Sequence, residues 1–212
     1  MYITWFGQSC FKLQGKAATV ITDPFEAQQV GLKLPRVNAD IVTVSHDHFD
    51  HNNVKGVGGD PFVINTLGEF EVKQIQIQGI PSWHDSIEGA ERGDNIIFRF
   101  IFEDIRIAHL GDLGTLLSDE QLEQLGNIDV LMIPVGGVYT INGKEAAEVV
   151  SQIEPRIVIP MHYRVPKLKI KLESHDQFCE EVGIKHNGVV EKLRVTKKEL
   201  PTDETQIYIL TV

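Results

Sequence analysis

The chain has 212 residues, enough for one domain with a substantial core. Hydrophobic residues make up 42% and charged residues 24%, a balance that excludes a disordered chain. Its 30 acidic and 20 basic residues leave a net charge of −10, which argues against nucleic acid as a partner, since that partner selects basic surfaces.

The opening "MYITWFGQSCFKL" lacks the basic stretch and continuous apolar run of a signal peptide. No run approaches the ~18 apolar residues that a membrane span needs. Cys10 and Cys179 lie far apart and form no CxxC, so the chain carries no disulfide framework. Together these features lead to the expectation of a cytoplasmic protein.

In chain order, "YITWF", "SCFKLQ" and "ATVITDPF" are short runs rich in Ile, Thr, Val and Phe, punctuated by Gly7 and Gly15. They predict an antiparallel meander. "ADIVTVSH" has the mostly apolar pattern of a strand buried on both faces. "PFVIN", "VKQIQIQGI", "NIIFRFIFE" and "IRIAHLGD" continue the strand-rich first half. The second half alternates. "SDEQLEQLG" predicts a helix capped by Ser118 and stopped by Gly126. "NIDVLMIPVGG" is a strand, "GKEAAEVVSQIEP" an amphipathic helix, and "RIVIPMHY" a further strand. "SHDQFCEEVG" predicts a helix with Ser174 as its cap, and "TQIYILTV" a final strand. No linker or short-period repeat divides the chain, so residues 1–212 are expected to form one layered α/β domain, two mixed sheets packed together with helices outside.

Chemistry concentrates at predicted strand ends. His46 follows "IVTV", His84 follows "IQIQGIP", Asp112 follows "IRIAHLG", and His162 follows "IVIPM". Buried strands deliver functional side chains at their C-terminal ends, where loops diverge around a crevice. Three of the eight histidines fall in "VSHDHFDHNN". Leaving a strand, His46 and His48 can point the same way as alternate residues, while Asp50 and His51 can face a second point nearby. Imidazole and carboxylate donors suit Zn²⁺ first, and also Mn²⁺ or Fe²⁺. A lone histidine in a polar loop would call for no ligand. This density, with further His and Asp residues at later strand ends, favours a metal site.

"SHDHFDH" resembles the HxHxDH signature of the metallo-β-lactamase superfamily, and "SWHD", "HLGD" and "PMHY" resemble its later metal-binding motifs in order. The likeness spans about residues 1 to 165. "TWFGQSCFKLQ…VITDPF" is similar to small stand-alone metal-dependent hydrolases of that superfamily, relatives of L-ascorbate-6-phosphate lactonase and, more distantly, of N-acylphosphatidylethanolamine phospholipase D. The resemblance implies an α/β (α+β) fold, a four-layer αββα sandwich of two mixed β-sheets with helices on the outer faces. It implies two divalent metal ions, with His46, His48 and His84 at one, Asp50, His51 and His162 at the other, and Asp112 bridging. It further implies that a hydroxide between the ions attacks the substrate, with Asp50 and Asp112 as the catalytic carboxylates.

Other residues are weighed beside these. His109 is expected to hydrogen-bond near the site rather than ligate. Asp23 either supports a ligand histidine or begins a turn before Pro24. Asp47 and Asp85 adjoin ligands and are expected to point away, and His175 and His186 to lie at the surface. Related hydrolases often read "GHS" where this chain has "GQSC", so Gln8 stands where an imidazole would touch substrate or a ligand. Neither cysteine falls in a metal motif, which argues against a dedicated antibiotic-degrading role. Tyr139, in the Gly-rich loop "PVGGVYTING", is either a substrate contact or part of an ordinary strand-to-helix turn, the two weighing equally. Arg164, Lys167, Lys169 and Lys171 form a basic run that either binds a phosphate or carboxylate or is a solvated loop, the second being preferred.

The expected activity is hydrolysis of an ester-type bond (lactone, phosphodiester or thioester) in a small molecule. A nuclease and a non-catalytic metal-stabilised binding protein are the alternatives. Di-iron redox chemistry is disfavoured, because related flavin-coupled oxidoreductases resemble HxExDH. Sequence leaves the substrate, the metal and the oligomeric state open.

Overall fold

The computed structural model describes residues 1–183 and 186–212. In chain order the strands are β1 (Tyr2–Gly7), β2 (Cys10–Gln14), β3 (Thr19–Thr22), β4 (Ile41–Thr43), β5 (Phe62–Ile64), β6 (Gly68–Val72), β7 (Ile75–Trp83) and β8 (Asp94–Phe102). They continue as β9 (Ile105–His109), β10 (Val130–Pro134), β11 (Ile157–Met161), β12 (Val189–Val190), β13 (Leu193–Arg194), β14 (Gln206–Ile207) and β15 (Ile209–Leu210). The helices are α1 (Ala27–Val30), α2 (Asp119–Leu125), α3 (Gly143–Ile153) and α4 (Asp176–Val182).

One sheet has the order β13-β1-β2-β3-β4-β5, the other β14-β11-β10-β9-β8-β7-β6. Both are mixed. In the first, β3, β4 and β5 run parallel after an antiparallel meander of β1 to β3. In the second, β9, β10, β11 and β14 run parallel while β6 to β9 are antiparallel. The expected αββα sandwich is the fold observed.

Side-chain alternation builds the layers. Val20 and Ile41 join the cluster between the sheets with Trp5, Phe98 and Phe100. Their neighbours Ile21 and Val42 face the opposite way and pack with Phe25 and Val30. This is the period of two expected when a strand is covered on both sides. The β10 residues are all buried for the same reason. Over the second sheet, α3 buries Gly143, Ala146, Val149 and Val150, one stripe of a 3.6-residue repeat.

Local chemistry sets the helix ends. Ser118 caps α2 as expected, its hydroxyl accepting from Gln121 N at 3.2 Å while Gln121 Oε1 accepts from Ser118 N at 2.9 Å. Asn142 and Glu145 form the same reciprocal box on α3. Each such cap stabilises by about 1 kcal/mol.

Three expectations are corrected. "VKQIQIQGI" is not one strand: Lys73 and Gln74 take φ of +51° and +63° and turn a two-residue hairpin between β6 and β7. That geometry is the one whose twist matches paired strands, and its lack of Gly or Asn hid it from the sequence. "TQIYILTV" splits, β14 pairing with β11 and β15 with β12. Ser174 is not the cap of α4; His175 holds that position with no side-chain cap.

Candidate metal centre

Strand direction assembles the site. β7 is antiparallel to β8 and β8 to β9, so β7 and β9 point the same way as β10 and β11. His84, Asp112 and His162 follow β7, β9 and β11 and therefore emerge at one edge of the second sheet. β4 brings the segment from Ser45 to His51 to the same edge from the other sheet. Ile96 N donates to Ser45 O at 2.9 Å and joins the two sheets there.

Seven side chains converge. The ring centroids of His46 lie 4.5 Å from His48, 4.2 Å from His51 and 4.6 Å from His84. Three groups of donor atoms each lie within 4.8 Å: His46–His48–His84, His46–His51–Asp112 and Asp50–His51–His162. Asp112 Oδ2 sits among them, 3.2 Å from His51 Nε2, 3.3 Å from His162 Nε2 and 3.5 Å from His84 Nε2. Asp50 Oδ2 is 3.5 Å from His51 Nε2 and 3.9 Å from His162 Nε2.

The donor set fits a metal. His46 Nε2, His51 Nε2, His84 Nδ1 and both ring nitrogens of His162 are buried without a hydrogen-bond partner. A buried polar atom left unsatisfied costs about 1–3 kcal/mol, and several in one cluster call for an occupant that accepts lone pairs. Imidazole and carboxylate together are the ligands of a borderline divalent cation.

Supporting residues set the orientation of these donors. His51 Nδ1–H donates to Asp23 Oδ2 at 2.9 Å, which leaves Nε2 as the lone-pair atom facing Asp112. Asp23 also accepts from Ser45 N at 2.8 Å and from Ser45 Oγ at 2.6 Å, and Ser45 Oγ lies 2.9 Å from His46 Nδ1. Ser9 Oγ donates to Asp112 Oδ1 at 3.1 Å, and Asp112 N donates to Asn95 Oδ1 at 2.9 Å. His109 is buried outside the donor groups: Gly111 N–H donates to its Nδ1 at 3.3 Å, so Nε2–H donates to Ser9 O at 2.8 Å. Gln8 Nε2 donates to Asp50 Oδ2 at 3.1 Å. Gln8, Asp23 and His162 adopt φ of +49°, +40° and +50°. Such strain in residues with side chains persists where surrounding contacts over-determine it, a frequent property of functional sites.

Electrostatics follow burial and proximity. Burial raises the Asp50 and Asp112 carboxyls, but the imidazoles beside them prevail and hold both well below the usual carboxylate range. Burial lowers His51, yet Asp112 and Asp50 prevail and raise it well above an ordinary histidine. Burial pushes His46, His84 and His109 down.

A cavity of about 640 Å³ opens over Asp50, Asp112 and His162. Tyr139 lines it, as do Lys169 and Lys171 of the basic run; Arg164 and Lys167 do not. A larger cleft of about 880 Å³ borders His46 and His48 but reaches neither Asp50 nor Asp112, whereas the smaller one touches members of all three donor groups. Asp47 is exposed and accepts from Asn52. Asp85 is buried and points into its own loop, accepting four backbone N–H groups at 2.7–3.0 Å. His175 is partly buried against Tyr163, with ring centroids 4.8 Å apart, and His186 is exposed. Sequence reading missed Ser9, Ser45, Asn95 and Arg92. For the first two the signal was adjacency to Gln8 and His46; Asn95, and Arg92, which lines the smaller cavity, carried none.

A two-sheet αββα sandwich with a His/Asp cluster at one sheet edge defines a class of metal-binding proteins. Residues 2–162 match the model of the β-lactamase superfamily domain, and the chain belongs to that family. It is 29% identical over 215 residues to a UPF0173 metal-dependent hydrolase of Methanopyrus kandleri, covering 87% of this chain and 94% of the other. It is 30% identical over 207 residues to one of Methanoculleus marisnigri, covering 85% and 89%. Among solved structures, a candidate Zn-dependent hydrolase of the metallo-β-lactamase superfamily from Thermotoga maritima superposes with a TM-score of 0.79 at 36% identity, covering 99% of this chain and 97% of the other.

Proposed function

We propose that this chain is a metal-dependent hydrolase with a two-ion site that cleaves an ester-type bond (lactone, phosphodiester or thioester) in a small molecule. The observation that carries this reading is the position of Asp112 Oδ2, within 3.2–3.5 Å of imidazole nitrogens from both halves of the cluster. His46, His48 and His84 would hold one ion, Asp50, His51 and His162 the other, with Asp112 shared. Zn²⁺ is the first expectation, and Mn²⁺ or Fe²⁺ would suit the same donors. When bound, the ions lower the pKa of a water toward neutrality and polarise the scissile oxygen.

The protein's own part is orientation. Asp23 fixes the His51 tautomer, Ser9 and Asn95 fix Asp112, and Gln8 fixes Asp50. Asp50 would accept a hydrogen bond from the attacking water and aim it. The names of the relatives, and the 36% identity to the Thermotoga maritima hydrolase structure, support hydrolysis. The acidic chain favours a small molecule over nucleic acid.

Metal analysis of the purified protein is expected to find about two ions per chain; fewer than one overturns the two-ion site. Asp112→Ala is expected to abolish hydrolysis across a panel of lactones, phosphodiesters and thioesters while retaining the far-ultraviolet circular dichroism of the wild type. Wild type inert across the whole panel overturns the activity.

A further inference from the structure

The cavity over the candidate metal centre carries three cationic side chains, Arg92, Lys169 and Lys171, from two loops far apart in sequence. This is unexpected in a chain of net charge −10. The acidic side chains among the cavity's described residues are Asp50 and Asp112, and both are committed to the cluster of imidazoles. Two dications held there would outweigh those two carboxylates, so a loaded cavity would be positive.

The cations sit on organised backbone. Asp85 follows His84 directly and accepts from the N–H groups of Ile87, Gly89, Glu91 and Arg92, which wraps that loop around one buried carboxylate. The Arg92 guanidinium carbon then lies 5.8 Å from the Tyr139 ring centroid, stacked over a second residue of the same cavity. The other loop is tied at both ends. Arg164 N donates to Glu173 O and Glu173 N to Gly136 O, each at 2.8 Å, and Lys169 N donates to Val30 O at 2.9 Å. Lys169 Nζ spends one donor on Gln28 O at 2.7 Å and keeps two. Arg92 lies 3.6 Å from the exposed Glu91, a surface pairing that is worth little. Lys171 has no ion pair among the described residues.

We propose that the substrate carries an anionic group, a phosphate or carboxylate remote from the scissile bond, which Arg92, Lys169 and Lys171 grip while the ester is cut. This rests on the hydrolase reading and names its substrate class. Arg92 is partly buried while Lys169 and Lys171 are exposed at the cavity rim, so a neutral ester would offer all three no partner and displace water chiefly from Arg92. An oxyanion restores those hydrogen bonds in charge-assisted form, through Arg92 as a planar fork and the lysines as point charges. Because the loops are already ordered, little binding free energy goes into arranging them.

The test compares esters of one acyl group that differ only in a distal substituent: neutral hydroxyl, carboxylate or phosphate. Wild-type holoenzyme is expected to favour an anionic member over the neutral one by about tenfold or more in kcat/KM, equivalent to about 1.4 kcal/mol. The better anionic arm tells phosphate from carboxylate. That preference is expected to collapse in the Arg92→Ala/Lys171→Ala double variant and to fall below one in Lys171→Glu. A wild-type ratio near one, or a ratio unchanged in the variants, overturns the proposal. If no ester is hydrolysed the activity reading fails, and the handle is judged separately by calorimetric titration of the metal-loaded protein with inorganic phosphate. About tenfold weaker binding in the double variant supports the handle; equal binding places phosphate on the metals alone and overturns it.

Discussion

Gln8 and Asp50, 42 residues apart in sequence, are joined by a hydrogen bond of 3.1 Å from Nε2 to Oδ2. The carbonyl of Gln8 also accepts from His162 N at 3.1 Å, so one residue secures two members of the Asp50–His51–His162 group. Its φ of +49° is the cost of reaching both, in a turn between β1 and β2.

Gln8→Ala removes the amide and keeps the backbone link. Affinity for the ion proposed at Asp50, His51 and His162 is expected to fall about ten- to a hundredfold, as for other residues that orient ligands. Calorimetric titration with Zn²⁺ checks this. Two binding steps unchanged from the wild type would leave Gln8 without a role in holding Asp50.

Asp23→Asn places an NH₂ group where a carboxylate now accepts from His51 Nδ1, Ser45 N and Ser45 Oγ. One of these donors must then face another donor, at a cost of about 1–3 kcal/mol. Both the thermal midpoint of the metal-free protein and its metal affinity are expected to drop. Loss of stability with metal affinity unaltered would reduce Asp23 to a structural part.

Asp129 is buried immediately before β10 and lies within 3.1 Å of Arg106 and Lys197. Burial raises its carboxyl, but the Arg106 contacts and then Lys197 prevail, and its pKa is held down to about 2. A depressed folded pKa stabilises above the unfolded value near ~4, and that contribution disappears as pH falls toward the folded value. Asp129→Asn is therefore expected to unfold at lower urea than wild type at pH 7. The gap should be about 2 kcal/mol and should shrink steadily between about pH 4 and pH 2. A gap of constant size across that range would mean that charge is not what Asp129 contributes.

Much of this was legible before folding. The strand-end positions of His46, His84, Asp112 and His162 could be read because apolar runs mark buried strands and the next polar residue marks where they stop. Ser118 and Gly126 could be read because capping is decided within one helical turn. The Lys73–Gln74 turn could not, because its positive φ values are imposed by strand pairing on residues that do not announce them.

The sequence by itself determined the layered α/β fold and the kinds of donor available to a metal, since periodicity and side-chain chemistry are local properties. Tertiary structure alone decided which of them meet. The shared direction of β7, β9 and β11 brings residues 84, 112 and 162 to one edge, and strand pairing is a long-range outcome. It also chose Lys169 and Lys171 over Arg164 and added Arg92 from a loop whose composition marked nothing. Position in a cavity depends on how two loops pack together, and neither loop records that in its own residues.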